Sequence, residues 1–186
     1  MKLTKLNTEQ VIKLCKTGNQ SAQLEIYNRY YKAMYNTSVR IVKNNFEAED
    51  IMQECFLIAF TKLDSLKDLK IFGSWLKRIV INKSIEYFKK KSKTQETSIH
   101  DVLYKIEDDS EELNYDYDIT NLKAQQVLNT IQTLKDSYRI ALSLHLIEGY
   151  DYEEISAIMK ISNANSRTTI SRAKESLRRK LKDALV

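Results

Sequence analysis

Apolar positions return at steps of three and four along most of this chain, the spacing that lines one face of an α-helix. Over residues 21–43, Leu24, Tyr27, Tyr31, Met34 and Ile41 form such a stripe and predict a long helix. A shorter helix over 8–17 precedes it and stops at Gly18, a helix-ending residue. Asn44 and Asn45 break the long helix. A third helix is expected over 47–63, with Ile51, Cys55, Ile58 and Ala59 on one side and Met52, Phe56 and Leu63 beside them. Residues 64–73 read as a loop. A fourth helix comes next over 74–91, with Ser74 as its N-cap.

The pattern then lapses. Residues 92–119 are polar and acidic with few apolar anchors, and read as a flexible tether with one helical turn near 102–106. Periodicity resumes near Asn121. Leu122, Val127, Leu128, Ile131 and Leu134 predict one helix, and Ile140, Leu142, Leu144, Leu146 and Ile147 a second, closed by Gly149. Asp151, with Glu154 three residues on, is a capping box for a third helix that turns Ile155 and Ile158 inward and ends near Lys160. Ile161, Ser162 and Asn163 make a tight turn, with Ser162 able to cap the last helix. There Ile170, Ala173, Leu177 and Leu181 form the apolar stripe. The expected architecture is all-α: helical domains over 1–92 and 120–186, joined by an acidic linker over 93–119.

Composition agrees with helices. Pro is absent and only three Gly occur, too few for a turn-rich β-fold. No segment approaches the roughly 20 apolar residues that span a bilayer. The opening residues lack the apolar stretch and cleavage site of a signal peptide, so a cytoplasmic protein without membrane insertion is expected. Cys15, Cys55, His100 and His145 are isolated, which argues against a zinc finger, a disulfide framework or any metal. The cysteines read as small core hydrophobes.

The net charge of +5 is modest, and its distribution is more informative. Lys67, Lys70, Lys77, Arg78, Lys83, Lys89, Lys90, Lys91 and Lys93 crowd one stretch against Asp68 and Glu86. Lys160, Arg167, Arg172, Lys174, Arg178, Arg179, Lys180 and Lys182 crowd another against Glu175. Between them lies the acidic strap, 101–118. One basic patch is usually a solvated face. Two, each ending a helical module, point to nucleic acid.

The sharpest signal is 150–181. A capped short helix, a three-residue turn and a longer basic helix make a helix-turn-helix, whose second helix offers its exposed N-terminal side chains to the major groove. Asn165, Arg167, Thr168, Ser171 and Arg172 are hydrogen-bonding types. Arg suits guanine and Asn suits adenine. Lys174, Arg178 and Arg179 suit phosphates. The bland alternative is a helical hairpin with a wet basic face.

Here a resemblance appears. GYDYEEISAIMKISNANSRTTISRAKESLRRKL resembles region 4 of bacterial sigma factors. KTGNQSAQLEIYNRYY and FEAEDIMQECFLIAF resemble region 2 and its polymerase-gripping segment, and FGSWLKRIVINKSIEYFKKK resembles the helix that binds the promoter −10 element. Size, and the lack of anything like regions 1 and 3, are similar to the extracytoplasmic-function group of the sigma-70 family. The resemblance implies that Glu47, Asp50, Gln53 and Glu54 dock on core RNA polymerase. It places the −10 element on Ser65, Lys67, Lys70, Arg78, Asn82, Lys83 and Tyr87, with Trp75 mainly in packing. It places the −35 element on Asn165, Arg167, Thr168, Ser171, Arg172, Lys174 and Arg178. It also implies contact with the polymerase clamp and flap, nucleoid association when active, and an anti-sigma factor, often membrane-bound, as regulator. It implies no cofactor, no small-molecule substrate and no catalysis. Two other readings remain. A helix-turn-helix regulator could bind duplex DNA alone as a dimer. An enzyme of nucleic acid metabolism would need catalytic carboxylates or a metal constellation, and the sequence has no recognisable set of either.

Overall fold

The computed structural model describes residues 2–97 and 119–183, with side chains over 2–92 and 122–183. Every regular element among the described residues is helical. The chain divides into two compact units, Met1–Lys90 and Lys91–Val186. Most of the acidic strap, including the turn expected near 102–106, lies outside the described residues.

The first unit holds α1 (Thr8–Lys16), α2 (Gln20–Val42), α3 (Asn45–Thr61) and the body of α4 (Phe72–Thr97). Asparagines start three of them. Asn7 accepts from the Gln10 amide at 2.9 Å and Gln10 returns a bond at 3.1 Å, a full capping box. Asn19 and Asn44 accept from Ala22 and Glu47 amides. Lys43 ends α2 in the left-handed region, with Asn44 capping the next helix. The buried core gathers Val11, Ile12, Ile26, Met34, Ile51, Met52, Cys55, Phe56, Leu76, Val80 and Ile81. Burial pushes the thiol of Cys15 up to about 11 and that of Cys55 to about 12. Both behave as small apolar side chains.

Two expectations need correction here. The α2 stripe does not all face the core: Leu24 and Tyr31 are exposed. The core face instead carries Ala22, Ile26, Met34, Thr37, Ser38 and Ile41. Small and hydroxylated residues serve because α4 comes close, and Ser38 and Ser84 share a buried hydrogen bond of 2.9 Å. Nor is Ser74 an N-cap. The segment expected as a loop over 64–73 instead carries 3-10 turns, one at Leu63–Ser65 across its start and one at Leu69–Ile71 that runs directly into α4. Asp68 caps that turn by accepting from the Lys70 amide, while the Ser74 hydroxyl donates to the Ile71 carbonyl. Gly73 leaves room for a close neighbour at the entry, since a Cβ there would sit 3.0 Å from the Tyr30 ring.

The second unit is built from α5 (Ile119–Gln132), α6 (Asp136–Leu142), a π turn over Ser143–Ile147, α7 (Tyr152–Met159) and α8 (Asn163–Asp183). Ile131, Leu134, Leu142, Ala173 and Leu177 form its core, with Val127, Tyr138 and Leu181 packed against them. Arg139 is fully buried, and its guanidinium donates to Asp136 at 2.8 Å. The predicted second helix therefore begins at Asp136 and ends in a π turn. The turn adds a residue to the helical ring and shifts the helical phase, which leaves Leu146 exposed. Leu122 is exposed as well, near the start of α5.

Candidate functional site

In the second unit, α7 and α8 form the expected helix-turn-helix. The Asp151 carboxylate accepts from the Glu153 and Glu154 amides at 2.8 Å each, and the Asp151 amide donates to Glu154 at 3.0 Å. Lys160 closes α7 at φ 54°, a left-handed position that Gly more often fills. The Ser162 hydroxyl then accepts from the Asn165 amide and starts α8. Ile155 and Ile158 of α7 and Ile170 and Ala173 of α8 are buried.

This packing leaves Asn165, Arg167, Thr168, Ser171, Arg172 and Arg178 on α8, all but Arg178 within its first half, turned toward solvent. Not all are equally available. The Thr168 hydroxyl donates to the Ala164 carbonyl at 2.9 Å, so only its oxygen lone pairs and methyl group face outward. Arg167 leans over the Tyr152 ring, 5.4 Å from its centroid, and reaches the Asn163 side chain at 3.4 Å. Lys174 is half-buried with its ammonium 3.0 Å from His145. Lys180, absent from the sequence-derived set, pins α8 to the α5–α6 loop by donating to the Thr133 carbonyl and hydroxyl.

In the first unit, Arg78 and Asn82 lie four residues apart on one side of α4, and Tyr87 is 37% exposed. Trp75 is half-buried against Phe72, with ring centroids 5.9 Å apart. Ser65, Lys67 and Lys70 sit exposed on the preceding turns, where the Ser65 hydroxyl donates to the Lys62 carbonyl. On α3, Asp50, Gln53 and Glu54 are exposed and Glu47 is half-buried. One juxtaposition is unexpected. Lys83 and Glu54, assigned to two different surfaces from sequence, form an ion pair of 2.7 Å between α4 and α3. The hydrogen bond from Lys83 to Glu54 raises the lysine's pKa above its ordinary value, because it favours the charged form.

Sequence reasoning missed Phe46 and Leu57, exposed by 83% and 68%. With Asp50 and Gln53 they step by four, three and four residues, so all four share a narrow arc of α3. The signal was present: neither belongs to the buried stripe of that helix. Two large apolar side chains thus stand in water beside an acidic and an amide group. Among the described residues no group of His, Cys, Asp and Glu could hold a metal, and no helix is long and apolar enough to cross a membrane.

Comparison with known proteins agrees with this two-part geometry. Sigma-70 region 2 matches residues 26–94, and sigma-70, region 4 matches residues 124–177. The ECF RNA polymerase sigma factor SigW of Bacillus subtilis is 30% identical over 182 residues, covering 92% of this chain and 95% of its own. The ECF sigma-E factor of Escherichia coli K12 is 28% identical, with 94% of each chain covered. Among solved structures, CnrH in complex with the cytosolic domain of CnrY aligns with a TM-score of 0.55 at 20% identity, covering 95% of this chain and 97% of that one. The sigma factor RpoE of Bartonella quintana, solved with the anti-sigma factor NepR, aligns at 0.54 and 22% identity, covering 85% and 95%. These last two share the fold. The chain belongs to the ECF group of sigma-70 RNA polymerase sigma factors, regulatory proteins of transcription. Its function is promoter-specific initiation of transcription through RNA polymerase.

Proposed function

We propose that three helical faces divide this work. The α3 arc of Phe46, Asp50, Gln53 and Leu57 holds core RNA polymerase, with Glu47 and Glu54 at its border. The α4 face of Arg78, Asn82 and Tyr87, with Ser65, Lys67 and Lys70 before it, takes the downstream promoter element and helps to open it. The α8 face takes the upstream element through Asn165, Arg167, Thr168, Ser171 and Arg172, with Lys174 and Arg178 on phosphates. Residues 1–92 and 120–186 thus act as two readers on one tether, 93–119. The protein works in the cytoplasm, performs no bond chemistry and is held inactive by an anti-sigma factor, the class of partner that NepR is to RpoE.

The observation that carries the reading is the hydrogen-bonding and cationic N-terminal half of α8, turned to solvent on a rigidly capped helix-turn-helix. Such a surface can bond base edges in the major groove while neighbouring cations bond phosphates. Run-off transcription with purified core RNA polymerase and genomic fragments tests it. Added protein should create new, reproducible start sites. Unchanged start sites, or tight duplex binding with no polymerase present, would favour a stand-alone regulator instead.

A further inference from the structure

The π turn over Ser143–Ile147 is the one departure from α-helical winding inside a helix body among the described residues. Such turns often mark functional positions because they rotate one side chain out of the helical phase. Here the wider ring closes through the Glu148 amide on the Ser143 carbonyl at 3.0 Å. The side chain it sets in place is His145, half-buried against three groups. Its Nδ1 lies 3.0 Å from the Tyr150 carbonyl oxygen, its Nε2 lies 3.0 Å from Lys174 Nζ, and its ring stacks on Tyr152 with centroids 5.1 Å apart.

These contacts assign the proton. An ammonium has no lone pair, so Lys174 must donate and Nε2 must accept. The imidazole is therefore neutral, and its one hydrogen sits on Nδ1 and is donated to Tyr150. The partner matters for Lys174. A carboxylate would fix the lysine and cancel its charge. A neutral imidazole fixes it and leaves the charge intact, with protons to spare on the ammonium for an anion. Tyr152 extends the arrangement, since its ring also carries the Arg167 guanidinium. Arg167 and Lys174 lie seven residues apart on one face of α8, so both cations are referenced to one His–Tyr stack.

We propose that His145 is a positioning residue for promoter binding: it holds Lys174 uncancelled and pre-ordered for a DNA phosphate beside the Arg167 contact. This rests on the reading of α8 as the helix that meets DNA. A free lysine must give up rotamer freedom to grip a phosphate, and a pre-ordered one has already done so in the folded chain.

The test uses holoenzyme assembled from the full chain and core RNA polymerase, with a promoter fragment recovered by run-off transcription as probe. Affinity is measured across a salt series for Lys174→Met, His145→Phe, His145→Gln and the Lys174→Met/His145→Phe double variant. Phe keeps the Tyr152 stack but has no acceptor, whereas Gln offers an oxygen to the ammonium. Lys174→Met should flatten the log–log salt slope by about 0.9, the share of one phosphate contact. His145→Phe should flatten it by a similar amount, the double variant by no more, and His145→Gln should stay near the parent. A parental slope in His145→Phe, or additive flattening in the double variant, overturns the proposal. So does a His145→Gln slope as flat as that of Lys174→Met. Arg167→Ala separates the two ideas: if it and Lys174→Met both leave promoter binding untouched, the α8 reading itself falls.

Discussion

Lys83 in the first unit and Lys174 in the second are both half-buried lysines on a helix expected to meet DNA, yet their partners differ. Lys83 meets the Glu54 carboxylate at 2.7 Å, and Lys174 meets the neutral His145 ring at 3.0 Å. The first contact cancels a charge locally, between α4 and α3. The second orders a charge and keeps it. The α4 surface is thus weaker in cationic field than its sequence suggests, and in the proposed reading Arg78, Asn82 and Tyr87 carry more of the contact. That suits a reader of unstacked bases, where amides and rings contribute as much as charge. In the proposed reading the α8 surface keeps a field that attracts duplex phosphate before any base is read.

The largest effect should come from the α3 arc. Asp50→Lys replaces an exposed carboxylate with the wrong sign and should cost about 2–5 kcal/mol of polymerase binding, with unfolding unchanged. Undiminished capture of core enzyme by the variant would remove the docking face from the proposal. Next comes the buried cation of the second unit. Asp136→Ala removes the carboxylate that accepts from buried Arg139 at 2.8 Å and should lower stability by roughly 2–3 kcal/mol in denaturant unfolding, discounted because Asp136 remains half solvated. Arg139→Met, which removes the charge but keeps most of the volume, should recover much of that loss. A reverse order of the two variants would mean that the Arg139 guanidinium stabilises the unit through groups besides Asp136.

Arg167→Ala should cost about 1–3 kcal/mol at one upstream position and relax base preference there. The check is a binding series on fragments changed one pair at a time, and uniform weakening would reassign Arg167 to phosphate. The smallest effect belongs to Glu54→Gln. An exposed pair of this kind contributes at most about 1 kcal/mol to stability. Its loss should barely move unfolding followed by Trp75 fluorescence, a signal confined to the first unit because the chain has one Trp. It should nevertheless uncover Lys83 and steepen the salt dependence of promoter binding. A fall in stability well beyond that bound would show that the pair holds α3 against α4.

Much of the fold was legible because caps and apolar spacing act locally. Asp151 with Glu154, Ser162 and the stripe of Ile170, Ala173, Leu177 and Leu181 are each readable within a few residues, and they suffice to place α7 and α8. The region around Leu146 shows the limit. Ile140, Leu142, Leu144 and Leu146 look equivalent along the chain, yet the first three are buried and the last, inside the π turn, is exposed. Nothing local distinguishes them, because the turn is favoured by the contacts it brings together across α7 and α8.

The division is physical. Helix positions, the cationic stretches and the helix-turn-helix were determined by the sequence, through hydrogen bonds and spacings spanning at most a few turns. Which face of α2 is buried, that the charge of Lys83 is cancelled by Glu54 while that of Lys174 is kept, and that Phe46 and Leu57 stand in water were decided only when helices packed. Each of these depends on partners far along the chain, or on the absence of one, as in the contact of Lys174 with His145, 29 residues away.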